Sequence, residues 1–125
     1  MDEFFQDLGT HARRLNECTY EFQFKSQKSS GFLQVHCGRE RQIIIHRLWA
    51  DQTGMGIGSL MLKTVCDLAD KHGLHITLKA LPFGRKPYPM SRSELVAWYM
   101  RHGFEGARRE LERLPRLGAL EDRLA

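Results

Sequence analysis

Asp51-Gln52-Thr53-Gly54-Met55-Gly56-Ile57-Gly58-Ser59-Leu60 lies between a strongly strand-like segment, Gln42 to Trp49, and a segment with helical spacing. Its glycines fall at alternate positions, as suits a turn that another group must approach closely. Strand, glycine turn and helix in that order direct several backbone N–H groups at one spot. The unpaired donors of a helix start, with the positive end of its dipole, make that spot attractive to phosphate. The stretch therefore reads as the holder of the pyrophosphate of a nucleotide-like cofactor; the plainer alternative is an ordinary tight turn. A Rossmann turn would place its third glycine at Ser59, and only one parallel crossover follows. The missing Gly-Lys-Ser/Thr excludes a P-loop.

Upstream, Tyr20, Phe22 and Phe24 alternate with polar residues from Thr19 to Lys25, which predicts a strand. Ser26 to Gly31 reads as a polar turn and Phe32 to Cys37 as a second strand. After Gly38-Arg39-Glu40 comes Gln42 to Trp49, whose Ile43-Ile44-Ile45 predicts a central strand covered on both faces. These strands form an antiparallel meander. Before them, Phe4, Phe5, Leu8, Ala12 and Leu15 predict a short amphipathic helix over residues 2 to 15.

Downstream, Ile57, Leu60, Met61, Val65, Leu68 and Ala69 form a helical stripe that runs to about His72, with Gly73 as its αL stop. Leu74 to Leu81 reads as a strand, returned to the sheet by a parallel crossover. Pro82 to Pro89 is a stiff loop. Ser91 and Glu94 form a capping box for a helix that ends at Gly103. Around Arg108 to Arg113 strand and helix are both open. The last ten residues read as a charged, loosely held tail.

A chain of 125 residues makes one domain, spanning 1–125. Apolar content of 42% and charged content of 27% are ordinary for a soluble globular protein. A net charge of +4 suits anionic ligands but is too modest to argue for nucleic acid. Cys18, Cys37 and Cys66 are widely spaced among apolar residues, which predicts reduced core thiols in a cytoplasmic chain. No long apolar run or leader argues for a membrane. His36, His72, His75 and His102 lack metal-like spacing, so no metal is expected.

Two motifs together resemble the GCN5-related N-acetyltransferase superfamily. Leu48-Trp49-Ala50-Asp51-Gln52-Thr53-Gly54-Met55-Gly56-Ile57-Gly58-Ser59-Leu60 is similar to the family's strand end followed by Arg/Gln-x-x-Gly-x-Gly/Ala opening a helix. Ala97-Trp98-Tyr99-Met100-Arg101-His102-Gly103-Phe104 is similar to its A-x-x-Tyr-x-x-x-Gly-Phe helix end. They stand roughly forty residues apart, as in the family, and the resemblance covers residues 19 to about 114. It implies an α/β (α+β) acyl-CoA N-acyltransferase fold: a mixed, mostly antiparallel central sheet flanked by helices. The chain departs from the family in two places. Thr53 stands where Arg or Gln is usual, and the N-terminus is abbreviated to at most one helix before the meander.

The resemblance implies acetyl-CoA (coenzyme A) as cofactor and transfer of its acetyl group to a primary amine by direct attack. Cofactor contacts are expected at Leu48, Trp49, Ala50, Thr53, Gly54, Met55, Gly56, Ile57, Gly58, Ser59 and Tyr99. Backbone groups of Leu48 and Ala50 would hold the pantetheine arm, and the Leu48 N–H would polarise the thioester carbonyl. Tyr99 matches the family tyrosine that protonates the departing thiolate; its plainer reading is a buried aromatic. His46, two residues before Leu48 and so expected on the same strand face, is the candidate base. A structural strand histidine is the alternative there. Trp49 lines the acceptor entrance or covers the sheet. Arg85 and Lys86 read as solvated loop charge before they read as an anion site. The short N-terminus implies an open acceptor site, hence a protein side chain or terminus as acceptor. A second class stays open: a weak or inactive coenzyme A-binding or partner-binding inhibitor protein, monomeric or homodimeric, of the same fold.

Overall fold

The period-two patterns become strands as expected, and the computed structural model describes residues 2–24, 29–50, 56–80, 91–107 and 110–116. The elements are α1 (Asp2–His11), β1 (Arg13–Arg14), β2 (Thr19–Phe24), β3 (Ser29–Cys37), β4 (Gln42–Ala50), α2 (Ile57–His72), β5 (His75–Lys79), α3 (Arg92–Arg101), β6 (Glu105–Ala107) and β7 (Glu110–Arg113). They build a mixed, mostly antiparallel seven-stranded sheet in the order β1-β2-β3-β4-β5-β7-β6, flanked by helices. Only β4 and β5 run parallel, joined through α2. Residues 51–55 of the glycine turn, the Pro82–Pro89 loop with Arg85 and Lys86, and residues 117–125 of the tail lie outside the described residues.

Cross-strand partners share a face, so Tyr20, Leu33, Ile43, Ile76, Leu78 and Leu111 line one side of the sheet, and all are buried. Every described helix packs on that side. Met61, Leu62, Val65 and Ala69 of α2 are fully buried. Phe4 and Leu8 of α1 are fully buried too, with Phe5 stacked on Tyr20 at 6.4 Å. Asp7 accepts hydrogen bonds from Lys71 at 2.9 Å and pairs with His72 at 2.7 Å, tying α1 to the end of α2. These bonds hold the Asp7 carboxyl below its ordinary pKa.

The expected coverage of Ile43-Ile44-Ile45 on both faces is therefore corrected. Ile43 and Ile45 are buried under α2, whereas Ile44 is half-buried on the face where no described helix lies. The N-terminal helix also ends earlier than its apolar spacing predicts. Arg13 and Arg14 pair with β2, Arg13 bridges Glu21 at 2.9 Å, and Leu15 is exposed. Ser29 to Gly31 belongs to β3 rather than to a turn, because Gly31 pairs with both Phe22 and Ala50. Of the region around Arg108 to Arg113, where the sequence leaves strand and helix both open, Glu110–Arg113 is strand and inserts as β7 between β5 and β6, while residues 108 and 109 lie outside the described residues. Of the three thiols expected in the core only Cys66 is buried; Cys18 is half-buried and Cys37 is exposed where β3 ends.

Gly31 marks the closest approach of sheet and helix. A Cβ there would fall 2.4 Å from Met61 Sδ and 3.0 Å from Ile57 Cγ2. Gly31→Val is expected to destabilise the fold by roughly 1–3 kcal/mol through overpacking. Chemical denaturation reads this directly, and an unchanged midpoint would show that Met61 moves aside freely.

The two ends of α2 differ. At its C-terminus Gly73 adopts φ 66, as the sequence predicts for the stop. Arg41, itself at φ 55, donates to the carbonyls of His72 (2.7 Å) and Gly73 (3.1 Å). At its N-terminus Gly56 is left-handed, with φ 75, and no side chain caps the helix. By contrast α3 carries the full Ser91–Glu94 capping box that the sequence predicts.

Candidate active site

The N-terminus of α2 brings several predicted cofactor residues together. The first bond of the helix runs from Leu60 N to Gly56 O at 3.1 Å, so the N–H groups of Ile57, Gly58 and Ser59 precede any intrahelical acceptor. No acidic residue occupies the first turn. A Cβ on Gly56 would meet nothing within 4 Å among the described residues. These are the properties an anionic phosphate requires, and the residues fit the group. Ile57 offers only its backbone, since its side chain is buried. Ser59 Oγ accepts from Trp98 Nε1 at 3.1 Å, so its hydroxyl is aimed at α3. Thr53, Gly54 and Met55 lie outside the described residues.

Trp98 was not among the residues singled out for the site, yet it joins its parts. Its indole lies 3.6 Å from where a Gly58 Cβ would sit, and Leu48 Cδ2 lies 3.8 Å from the same point. The end of β4, the start of α2 and the middle of α3 thus meet at one glycine.

A second feature arises from strand pairing. The β3–β4 register shifts between Gln34↔Arg47 and Val35↔Ile45, so His46 is the extra residue of a β-bulge. The parallel β4–β5 ladder ends at the same level, its last pair being Ile45↔Leu78. Beyond it β4 continues to Ala50, paired among the described residues with β3 alone, so the described sheet splits between β4 and β5.

The bulge also corrects the expected placement of His46. Leu48 pairs with Leu33 on the helix-covered face, and Ile45 pairs with Val35 on that same face. The two residues between them, His46 and Arg47, both fall on the uncovered face and are exposed. His46 therefore does not share the face of Leu48. Its ring meets that of His36 at 4.3 Å between centroids and 76° between planes. Partial burial, and then the His36 charge, lower its pKa. Trp49 is on the uncovered face too, stacked on Phe32 at 5.2 Å and 17°, while Ala50 faces inward opposite Gly31.

Tyr99 is buried on the covered side, with Trp98 at 4.9 Å and Phe104 at 5.5 Å between ring centroids. Burial, with a smaller contribution from the Cys66 thiol, pushes its phenol up to about 12. No hydrogen-bond partner for its hydroxyl occurs among the described residues. Tyr99 is on the helix-covered side of the sheet, whereas His46 is on the other.

The solved structures give the same outline. The chain superposes on the anti-CRISPR protein AcrVA5 with a TM-score of 0.59 and 21% identity, over 76% of this chain and 97% of that one. It superposes on a proposed acetyltransferase from Staphylococcus aureus Mu50 with a TM-score of 0.54 and 15% identity, over 90% of this chain and 78% of that one. The chain has an acetyltransferase-like fold. At these identities the likeness is one of fold. No protein-family model matches the sequence, and no curated protein matches it. Among the described residues no group of three or more His, Cys, Asp or Glu is placed to hold a metal ion, and no helix is long and apolar enough to cross a membrane.

Proposed function

We propose that the chain is an N-acetyltransferase that moves the acetyl group of acetyl-CoA to a primary amine of a protein, a lysine side chain or an N-terminus. The observation that carries this reading is the split between β4 and β5, which opens at the bulge while the uncapped start of α2 stands at the far end of the same strand. Acetyl-CoA, when bound, supplies the acetyl group as a thioester. The N–H groups of Ile57, Gly58 and Ser59 would hold its pyrophosphate. Arg41 O accepts from His75 N of β5. Alternation from Arg41 through Ile43 and Ile45, shifted by one at the bulge, turns the backbone groups of Leu48 and Ala50 toward the β5 side of β4. That supports their role along the pantetheine arm.

Tyr99 Oη keeps its proton through the neutral range and has no described acceptor, so it can donate to a departing thiolate. His46 on the opposite face is neutral near pH 7 and can take a proton from an incoming amine. The side of the sheet free of described helices is the side from which a protein segment can reach the split. Incubating the purified protein with acetyl-CoA and lysine-containing peptides tests the reading. Release of free thiol matched by acetylated peptide is the expected result. Tight acetyl-CoA binding without transfer to any amine would instead favour a coenzyme A-binding partner protein.

A further inference from the structure

His36 has no role in the reaction as described so far, yet its ring is in edge-to-face contact with that of the candidate base. We propose that His36 is a positioning residue for acyl transfer: across the bulge it holds His46 at the outer mouth of the β4–β5 split as the base that receives the acceptor's proton. The inference rests on the acetyltransferase reading and adds to it a residue from a neighbouring strand.

The geometry carries it. His36 is opposite Ile44, and alternation from Ile44 puts His46 on the same uncovered face. The inserted residue adds Arg47 to that face and turns Leu48 inward, and a 4.3 Å ring contact with His36 fixes which way the His46 imidazole lies. The contact also acts electrostatically, since a charge on His36 disfavours a charge on His46 at that separation. Other charged groups lie along the same and the neighbouring strands. Arg47 follows His46 on β4, and Lys79 follows Leu78, the last β5 partner, with Glu110 opposite Lys79 on β7. His36 on β3 is the group whose charge bears on His46.

In the step this serves, the amine nitrogen forms the new C–N bond and its displaced proton passes to an imidazole nitrogen of His46. The C–S bond breaks, the sulfur takes the proton of Tyr99 Oη, and both side chains return to their starting state by exchange with water.

The test is His36→Gln, a change at an exposed position that leaves the fold intact. Proton NMR of the free protein follows the titration of His46, and the pH profile of kcat/KM follows catalysis. In the native protein His46 is expected to titrate below the ordinary histidine value of about 6.5. In His36→Gln its midpoint is expected to rise toward that value, and the acid limb of the profile to move to higher pH with it. An identical His46 midpoint in both proteins would overturn the proposal while leaving acetyl transfer standing. A shifted midpoint with an unmoved acid limb would overturn it as well, because the state of His46 would not govern the rate. A shifted midpoint in a protein that transfers acetyl to no amine would sink the acetyltransferase reading, and this inference with it.

Discussion

Tyr99→Phe is expected to lower acetyl transfer by roughly two to four orders of magnitude, the range for losing a positioned general acid, while leaving stability unchanged or slightly raised. The two halves of this expectation have separate causes. The ring packs against Trp98 and Phe104, and phenylalanine packs there equally well. The hydroxyl is buried without a described partner, an arrangement that costs stability in a resting protein. A buried donor kept at that cost is best explained by an acceptor that arrives with the substrate. Turnover measured beside a thermal melt separates these effects. A variant with native melting and native turnover would remove Tyr99 from the chemistry, and one with a lowered melting point would mean that the hydroxyl has a structural partner.

Arg113→Ala is expected to cost about 3 kcal/mol of folding stability, near the low end for breaking a buried pair because Asp70 keeps some solvent contact. The Arg113 side chain is nearly inaccessible and makes three bonds. Nη1 and Nη2 donate to Asp70 Oδ1 and Oδ2 at 2.7 and 3.0 Å, and Nε donates to His102 O at 2.9 Å. It thereby ties β7 to both α2 and the end of α3, three residues beyond Tyr99. Truncation leaves a helix-terminal carbonyl without its donor and a partly buried carboxylate with, among the described residues, only the Arg116 N–H, at 2.8 Å. Domains of this size are commonly stable by only about 5–15 kcal/mol, so the loss would be a large share of the total. The Lys63–Asp67 pair, exposed on both sides, is the control, since ion pairs of that kind contribute little. Equal denaturation midpoints for Arg113→Ala and Lys63→Ala would contradict the assignment of Arg113 as the clasp.

What was legible in the sequence was written locally. The Ser91–Glu94 box, the left-handed stop at Gly73 and the alternation of Tyr20, Phe22 and Phe24 each depend on residues a few positions apart. The strand before the glycines and the helix after them could be read for the same reason. The features that complete the site are not local. The bulge at His46 is a mismatch between two strands, and no residue type announces it; simple alternation puts His46 correctly with Gln42 but carries Leu48 to the wrong face. That His36 is the residue across from His46 depends on strand register, which is not written locally either. The clasp between Arg113 and Asp70, the Arg41 cap on α2 and the Trp98 bond to Ser59 likewise join residues remote in sequence. Their partners were visible as residue types but not as pairs. Arg13 and Arg14 read as the tail of a helix because pairing with β2 outweighs a weak helical pattern near Gly9 and Thr10.

The claim at the centre is that the split beside β4 and the open start of α2 grip one molecule of acetyl-CoA along its length. Calorimetric titration of acetyl-CoA into the purified protein, repeated with Gly58→Trp, tests it most directly. A Cβ at Gly58 already stands in van der Waals contact with Trp98 and Leu48, so an indole there would crowd the meeting point of strand and helix. Saturable one-to-one binding that is lost in the variant, with the variant still folded by circular dichroism, is the predicted result. Absence of binding by the native protein, or equal binding by both, would contradict it.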